Sequence, residues 1–147
     1  MKFEIENANE FLVKLDKCAN IDLRRPLLKV GNDIEVAAKQ NCNGRFAKPT
    51  GTLKRSIRAE LVGLNSVEVG TNLEYGVYVE YGTGIYAFGG QGRASTPEHP
   101  IPWTYRGSDG LFYTTEGVKP RPFLIPAFNS KKHNITKYIK EEYDDRF

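Results

Sequence analysis

The residue types that most often perform catalysis or bind metals are few in this 147-residue chain and lie far apart in sequence. Glu98 precedes His99 in TPEHPIP, but prolines flank the pair and no nucleophile or further histidine accompanies it. His133 lies in SKKHNIT without the H-E-x-x-H spacing of a helical zinc site. Cys18 and Cys42 have no C-x-x-C spacing and are expected to be reduced thiols. We therefore predict no catalytic residue, no metal, no cofactor and no enzymatic activity.

One stretch of the sequence has a charge pattern that suits a phosphate backbone. No acid occurs between Glu35 and Glu60, and this interval contains the basic residues Lys39, Arg45, Lys48, Lys54, Arg55 and Arg58. Such a cluster can bind phosphates through charge alone. The alternative is a solvated surface whose charge is balanced by acids elsewhere, because the formal net charge of the chain is only +3.

The composition predicts a single globular domain over residues 1–147. With 39% hydrophobic and 27% charged residues, a chain of this length can bury one core without disulfides. No apolar run has the length of a membrane span, and the first residues lack the pattern of a secretory signal. We therefore expect no interaction with a membrane.

Apolar spacing predicts several helices. Apolar residues recur every three or four positions in residues 7–19, and again from Asp22, the expected cap, to Asn43-Gly44. A short helix is predicted over residues 73–81, where Gly82 ends it. A last helical stripe contains Ala127, Phe128, Ile135, Tyr138 and Ile139, with Pro126 in the first turn.

Two hairpins are predicted between these helices. Alternation from Ser56 to Leu61 and in SVEVGT, on either side of Gly63-Leu64-Asn65, indicates the first. Residues 85–119 are a long loop insertion, within which a second, small hairpin turns around residues 107–110. The order of elements predicts an α+β fold, with an antiparallel sheet of hairpins packed against two or three helices.

Three segments in this order resemble the neck, or tail-completion, protein family of tailed bacteriophages: TGTLKRSI at 50–57, VGTNLEYGVYVEYGTG at 69–84 and RPFLIPAF at 121–128. The likeness covers about residues 25–140. The matching positions are Thr50, Gly51, Leu53, Ser56, Ile57, Val69, Gly70, Thr71, Tyr75, Val79, Glu80, Gly82, Thr83, Arg121, Pro122, Phe123, Leu124, Pro126 and Ala127. The chain departs from the commoner pattern at Gly76-Val77, where the family often has Ala-Pro, and in the length of the 85–119 loop.

The resemblance implies a structural virion protein without catalytic activity. Its implied place is a homo-oligomeric ring at the head–tail junction, between phage head-connector and tail proteins, with transient, non-specific contact with phage DNA. Such a protein is made and assembled in the cytoplasm of the bacterial host and ends in the neck or tail of the virion. The rival hypothesis is a small nucleic-acid-binding protein that uses the basic 39–58 stretch.

Two sets of residues are candidates for these contacts. Tyrosines supply large amphipathic contact areas, and three further candidates are positions that match the family. The subunit-interface candidates are therefore Tyr78, Glu80, Tyr81, Arg121 and Phe123. The alternative for Tyr78 is packing on the helix that follows Asp22. Glu80 is expected to pair with a basic residue of its own or the next subunit. The DNA-channel candidates are Lys48, Lys54, Arg55 and Arg58.

Overall fold

The computed structural model describes residues 22–42, 51–87 and 101–144. They form five α-helices, one 3₁₀ turn and two antiparallel two-stranded sheets, which confirms the predicted α+β fold. In chain order these are α1 Arg24–Asn41, α2 Thr52–Ser56, β1 Arg58–Leu61, β2 Val67–Gly70, α3 Tyr75–Tyr81, the 3₁₀ turn Gly84–Tyr86, β3 Trp103–Arg106, β4 Phe112–Thr115, α4 Leu124–Lys131 and α5 Asn134–Tyr143. The helix predicted over residues 7–19 and the predicted stop at Asn43-Gly44 lie outside the described residues.

Helix α1 is the central element of the fold, and its prediction is confirmed. Its buried apolar residues, Val30, Ile34, Ala37 and Ala38, recur at helical spacing and face the β1–β2 hairpin, α4 and α5. The N-cap residue is Leu23 and not the predicted Asp22, which lies one residue earlier and whose Oδ1 accepts a hydrogen bond from the Arg24 N–H at 3.0 Å. The packing against the hairpin is close at Gly31, where an added Cβ would lie 2.6 Å from Val67 Cγ2.

The β1–β2 hairpin forms where alternation predicts it, with Ala59 opposite Val69. The strand, however, begins at Arg58, because Ser56 is the last residue of the short helix α2, which the alternation did not reveal. The Ser56 hydroxyl hydrogen-bonds to the Thr71 hydroxyl, near the start of the second motif. Leu53 and Ile57 are both buried in the core, although one is helical and the other extended.

The C-terminal stripe forms two helices where the sequence predicted one. Helix α4 ends at Lys131 and α5 begins at Asn134, so the apolar residues do not share one continuous face. Ala127 is buried and Ile135 and Tyr138 pack against the core. Phe128 is half exposed, contrary to its predicted place in the buried stripe.

Two carboxylates join α1 to its neighbours. Asp33 accepts hydrogen bonds from the Tyr138 hydroxyl at 2.6 Å and the Asn134 amide at 2.9 Å, both on α5, and the Tyr138 bond is the main reason why the pKa of Asp33 is lowered. Partial burial raises the pKa of Glu35. The hydrogen bonds from Lys39 and from the Ala59 N–H at 2.7 Å outweigh that effect, so the net pKa of Glu35 is also lowered.

The lowered pKa values of Asp33 and Glu35 predict that the protein loses stability in acid. A group whose pKa is lower in the folded than in the unfolded protein stabilises the fold above its unfolded pKa, of about 4 for Asp and Glu, and this contribution disappears as the pH falls through the folded value. We expect the free energy of unfolding, measured by urea titration between pH 7 and pH 3, to fall less steeply in the Asp33→Asn/Glu35→Gln variant than in the original protein. Glu68→Gln, an exposed change on β2, is the control. Equal pH dependence in all three proteins would contradict the prediction.

Candidate functional site

Helix α3 carries the central part of the second sequence motif, and it has a buried and an exposed side. The predicted short helix is confirmed, and Gly82 ends it with a φ of 76°. Tyr75, Val77 and Tyr78 are exposed, whereas Glu80 is buried. The exposed side is therefore available for contacts, and the buried side has a role within the subunit.

Glu80 is buried with only 6% of its surface exposed, and its carboxylate accepts three backbone hydrogen bonds. Oε2 accepts from the N–H groups of Phe123 at 2.8 Å and Leu124 at 2.9 Å, and Oε1 accepts from Ile125 at 2.8 Å. Helix α4 begins at Leu124, so the carboxylate satisfies amides that have no partner inside the helix, at the end that favours negative charge. Instead of the predicted basic side chain, Glu80 thus has backbone partners within the same subunit.

The five interface candidates occupy three different environments. Glu80 and Phe123 belong to the interior of the subunit, and Phe123 is among the most deeply buried side chains. Tyr78 and Arg121 line one small surface cavity of about 170 Å³ between α3 and the chain after β4. Tyr81 is half-buried and does not line this cavity. The structure therefore brings together only Tyr78 and Arg121 at the surface.

The chain crosses itself next to this cavity in a way that the sequence did not reveal. The Thr83 N–H donates to the Val118 carbonyl and the Ile85 N–H to the Glu116 carbonyl, both at 2.9 Å. An added Cβ on Gly84 would lie 1.8 Å from the Glu116 oxygen, and one on Gly117 would lie 2.0 Å from the Thr83 oxygen. The two strands of chain can approach so closely only because both residues are glycine.

Strands β3 and β4 and the turn between them form the second hairpin, as predicted. We call this hairpin, residues 103–115, the arm. No other element packs broadly against it within the described residues. Stacking of Tyr105 on Tyr113, with ring centroids 5.8 Å apart, holds the two strands together. Asp109 in the turn accepts hydrogen bonds from the Leu111 N–H and the Tyr113 hydroxyl, and the Tyr113 bond lowers the pKa of Asp109.

An apolar groove lies on another part of the subunit, among α1, β2, α4 and α5. Its volume is about 510 Å³, and its walls are almost entirely aliphatic or aromatic, namely Leu27, Val30, Ile34, Val67, Val69, Leu124, Ile125, Phe128 and Ile135, with Lys132 as the charged residue. Ile125 and Phe128 are exposed at its opening. No local sequence pattern predicts the groove, because its walls come from four separate elements.

Of the DNA-channel candidates that the structure describes, only Arg55 and Arg58 line a common surface groove. Lys54 and Arg55 lie in the last turn of α2 and Arg58 begins β1. Arg55 and Arg58 line an open groove of about 710 Å³, whose walls also include Glu60 and Glu68. This surface therefore carries both signs of charge. Lys48 lies outside the described residues.

The potential catalytic and metal-binding side chains remain separate in the described part of the chain. No group of three or more His, Cys, Asp or Glu side chains there is arranged to hold a metal ion. Cys42 is buried, and burial raises the pKa of its thiol. His133 is exposed between α4 and α5, and Cys18 and His99 lie outside the described ranges. None of the helices within those ranges is both long and apolar enough to cross a membrane.

A small α+β domain with an exposed arm and an open apolar groove fits the class of structural assembly proteins. The chain belongs to the family described as "Bacteriophage HK97-gp10, putative tail-component", whose family model matches residues 7–82. It is thus a structural component of a phage tail, in agreement with the resemblance found in the sequence. The matched range contains the first two motifs, and the third lies beyond it. Comparisons with curated proteins and with solved structures gave no match.

Proposed function

We propose that this protein is a non-enzymatic part of a homo-oligomeric ring at the head–tail junction, in the neck or tail-completion position. The observation that carries the proposal is that the subunit exposes two apolar surfaces, the arm and the groove, on different elements. Extended apolar surfaces on a soluble protein mark interaction sites. Contacts between two different surfaces of the same chain repeat from subunit to subunit, and they form a ring where the repeated rotation closes.

The remaining surface candidates suit contacts with the neighbouring phage proteins. Tyr78 and Arg121 share a small cavity, and tyrosine and arginine are the residue types enriched in interface cores. We place head-connector and tail proteins against this surface and its surroundings, with assembly in the cytoplasm of the bacterial host. The family supports a tail component. The position at the junction is the finer part of the proposal.

The proposal is tested by removing the gene and by locating the protein in the particle. Without the protein, electron microscopy should show DNA-filled heads and complete tails that are not joined. In complete particles, a labelled copy should be found at the junction. Label along the tail tube or at its distal end, or normally joined particles without the protein, would contradict the junction position while leaving a tail component in place.

The basic residues predict a role in DNA passage through the proposed ring. Charge on the lumen would bind phosphates without reading bases. We expect the Lys54→Gln/Arg55→Gln/Arg58→Gln variant to fold and to form rings, but to lower DNA retention or ejection in whole particles. The matched control removes three charges elsewhere, on Arg25, Lys137 and Lys140. Equal DNA retention and ejection in both variants, or a junction structure with the first three side chains on the outer wall, would refute the role.

The second candidate function is nucleic-acid binding by the isolated protein. The observation that favours it is that Arg55 and Arg58 line the same open groove. The isolated protein would then bind short duplex DNA with a dissociation constant in the micromolar range, and the affinity would fall steeply with added salt. Binding of this kind, without ring formation, would favour this function over the ring.

A further inference from the structure

We propose that the tip of the arm, Leu111 and Phe112, inserts into the apolar groove of a neighbouring copy of the same chain. This inference rests on the proposed ring and assigns its main subunit contact. The occupant of each groove is thus a second copy, and each arm is covered in the same way. One type of contact then covers both of these apolar surfaces in every subunit.

The arm has the properties of a preformed ligand. Phe112 is 74% exposed and Leu111 62%, the highest values among the large apolar side chains of the arm. Cross-strand contacts, such as the Tyr105–Tyr113 stack, already hold the hairpin in shape. The chain crossing at Gly84 and Gly117 fixes its base. A preformed element loses little conformational entropy on binding, so more of the contact energy contributes to affinity.

The groove has the size and lining that such a tip needs. Its volume of about 510 Å³ lies within the range of roughly 300–1,000 Å³ that is usual for ligand sites. Val67, Val69 and Ile135 form an apolar surface at its walls, and Phe128 is 50% exposed at the opening. An aromatic side chain buries about 150–250 Å² when fully enclosed, so Phe112 can supply much of the contact.

One pair of opposite charges lies at the two surfaces. Asp109 is the acid in the arm turn, two residues before Leu111, and Lys132 is the basic residue on the groove wall. Arg106 also reaches the turn, where its Nε donates to the Gly110 carbonyl, so the acid must face the groove wall for the pair to form. The Lys132 ammonium lies 5.6 Å from the centre of the Phe128 ring, at the groove opening. Insertion of the tip therefore brings an acid towards a base, which favours one orientation of the arm over its reverse.

The contact is tested by photo-crosslinking in rings assembled from isotopically light and heavy full-length subunits. A photoreactive phenylalanine analogue replaces Phe112, and mass spectrometry identifies the crosslinked peptides. We expect light–heavy crosslinks to residues 24–34, 67–69 or 124–135, which form the walls of the groove. The same analogue at Tyr86, an exposed aromatic residue outside the arm, should give none of these products.

Each other outcome overturns the inference in a distinguishable way. Rings whose crosslinks stay within one subunit, reach the first 21 residues of the chain, or avoid the groove would refute the arm contact and leave the ring intact. Crosslinks from Phe112 to a different phage protein in whole particles, in place of the groove, would do the same. If light scattering and electron microscopy of the unmodified protein and of particles show no ring, the proposed function fails together with this contact.

Substitutions give a second, independent test. Phe112→Ser and Phe128→Ser change exposed side chains, so each variant should fold, as judged by circular dichroism and melting temperature. Each should raise the concentration needed for assembly by about tenfold or more, as expected for a buried aromatic contact. Because both variants remove the same contact, the double variant should be little worse than either one. Val36→Ser, which changes an exposed residue outside the groove, should assemble normally, and normal assembly of Phe112→Ser would refute the proposal.

Discussion

Glu80→Ala is expected to lower the free energy of unfolding by about 4 kcal/mol, because three buried or partly buried N–H groups at the start of α4 lose their common acceptor. Domains of this kind are stable by only about 5–15 kcal/mol, so much of the population would unfold under mild denaturant. This carboxylate and the hydrogen bond from the Arg121 N–H to the Val79 carbonyl join α3 to the start of α4. Loss of the carboxylate should therefore also expose Phe123, which is almost fully buried in the intact protein.

Glu80→Gln separates charge from shape. The amide retains one acceptor oxygen, but its NH₂ group faces a backbone donor, so we expect a loss of about 2 kcal/mol. Glu74→Gln, an exposed change at the start of the same helix, is the control and should alter stability by less than about 0.5 kcal/mol. Urea titration of the three variants measures these differences. Assembly that fails while the stability of Glu80→Gln stays unchanged would instead place Glu80 in the subunit interface.

Local patterns in the sequence were sufficient to predict most of the helices and strands. Helix α1 has a long apolar period, and the two hairpins have alternating residues on either side of turn residues such as Gly107 and Gly110. Helix α3 has an apolar stripe and a glycine that ends it. All of these signals lie within a few residues of one another, which is why a single sequence reveals them.

The missed features depend on residues that are distant in sequence. Glu80 bonds to amides 43–45 positions later, and no local pattern distinguishes a capping carboxylate from one that pairs with a cation. The break after Lys131 interrupts a stripe whose apolar spacing continues across it. The short helix α2 precedes a strand within one motif, so alternation was assigned two residues too early.

The three sequence motifs meet inside the subunit. Ser56 of the first motif hydrogen-bonds to Thr71 of the second, and Glu80 of the second bonds to the backbone of the third. Many of the motif residues in this chain therefore make contacts within the subunit. This explains why Glu80 and Phe123, which the motifs made interface candidates, are buried in the structure. The arm lies entirely outside the motifs, so motif matching could not point to it.

The largest effect of a single added methyl group is expected at the chain crossing below the arm. Gly84 has a φ of 65° and Gly117 a φ of 127°, and any Cβ would overlap a carbonyl oxygen of the opposite strand. Backbone atoms cannot move aside as a flexible side chain can. Gly84→Ala and Gly117→Ala should therefore each cost about 3 kcal/mol or more, through strain together with the hydrogen bonds that separate.

Gly70→Ala is the matched control for these two variants, because no atom lies within 4 Å of the added Cβ and the backbone is not left-handed. Hydrogen exchange locates the damage: the amides of Thr83, Ile85 and Val118 should lose protection in both crossing variants and keep it in the control. Loss of the crossing releases the base of the arm, so assembly should weaken even where the core stays folded. If Gly84→Ala and Gly70→Ala unfold at the same urea concentration with equal amide protection, the crossing is not the fixed joint that its geometry indicates.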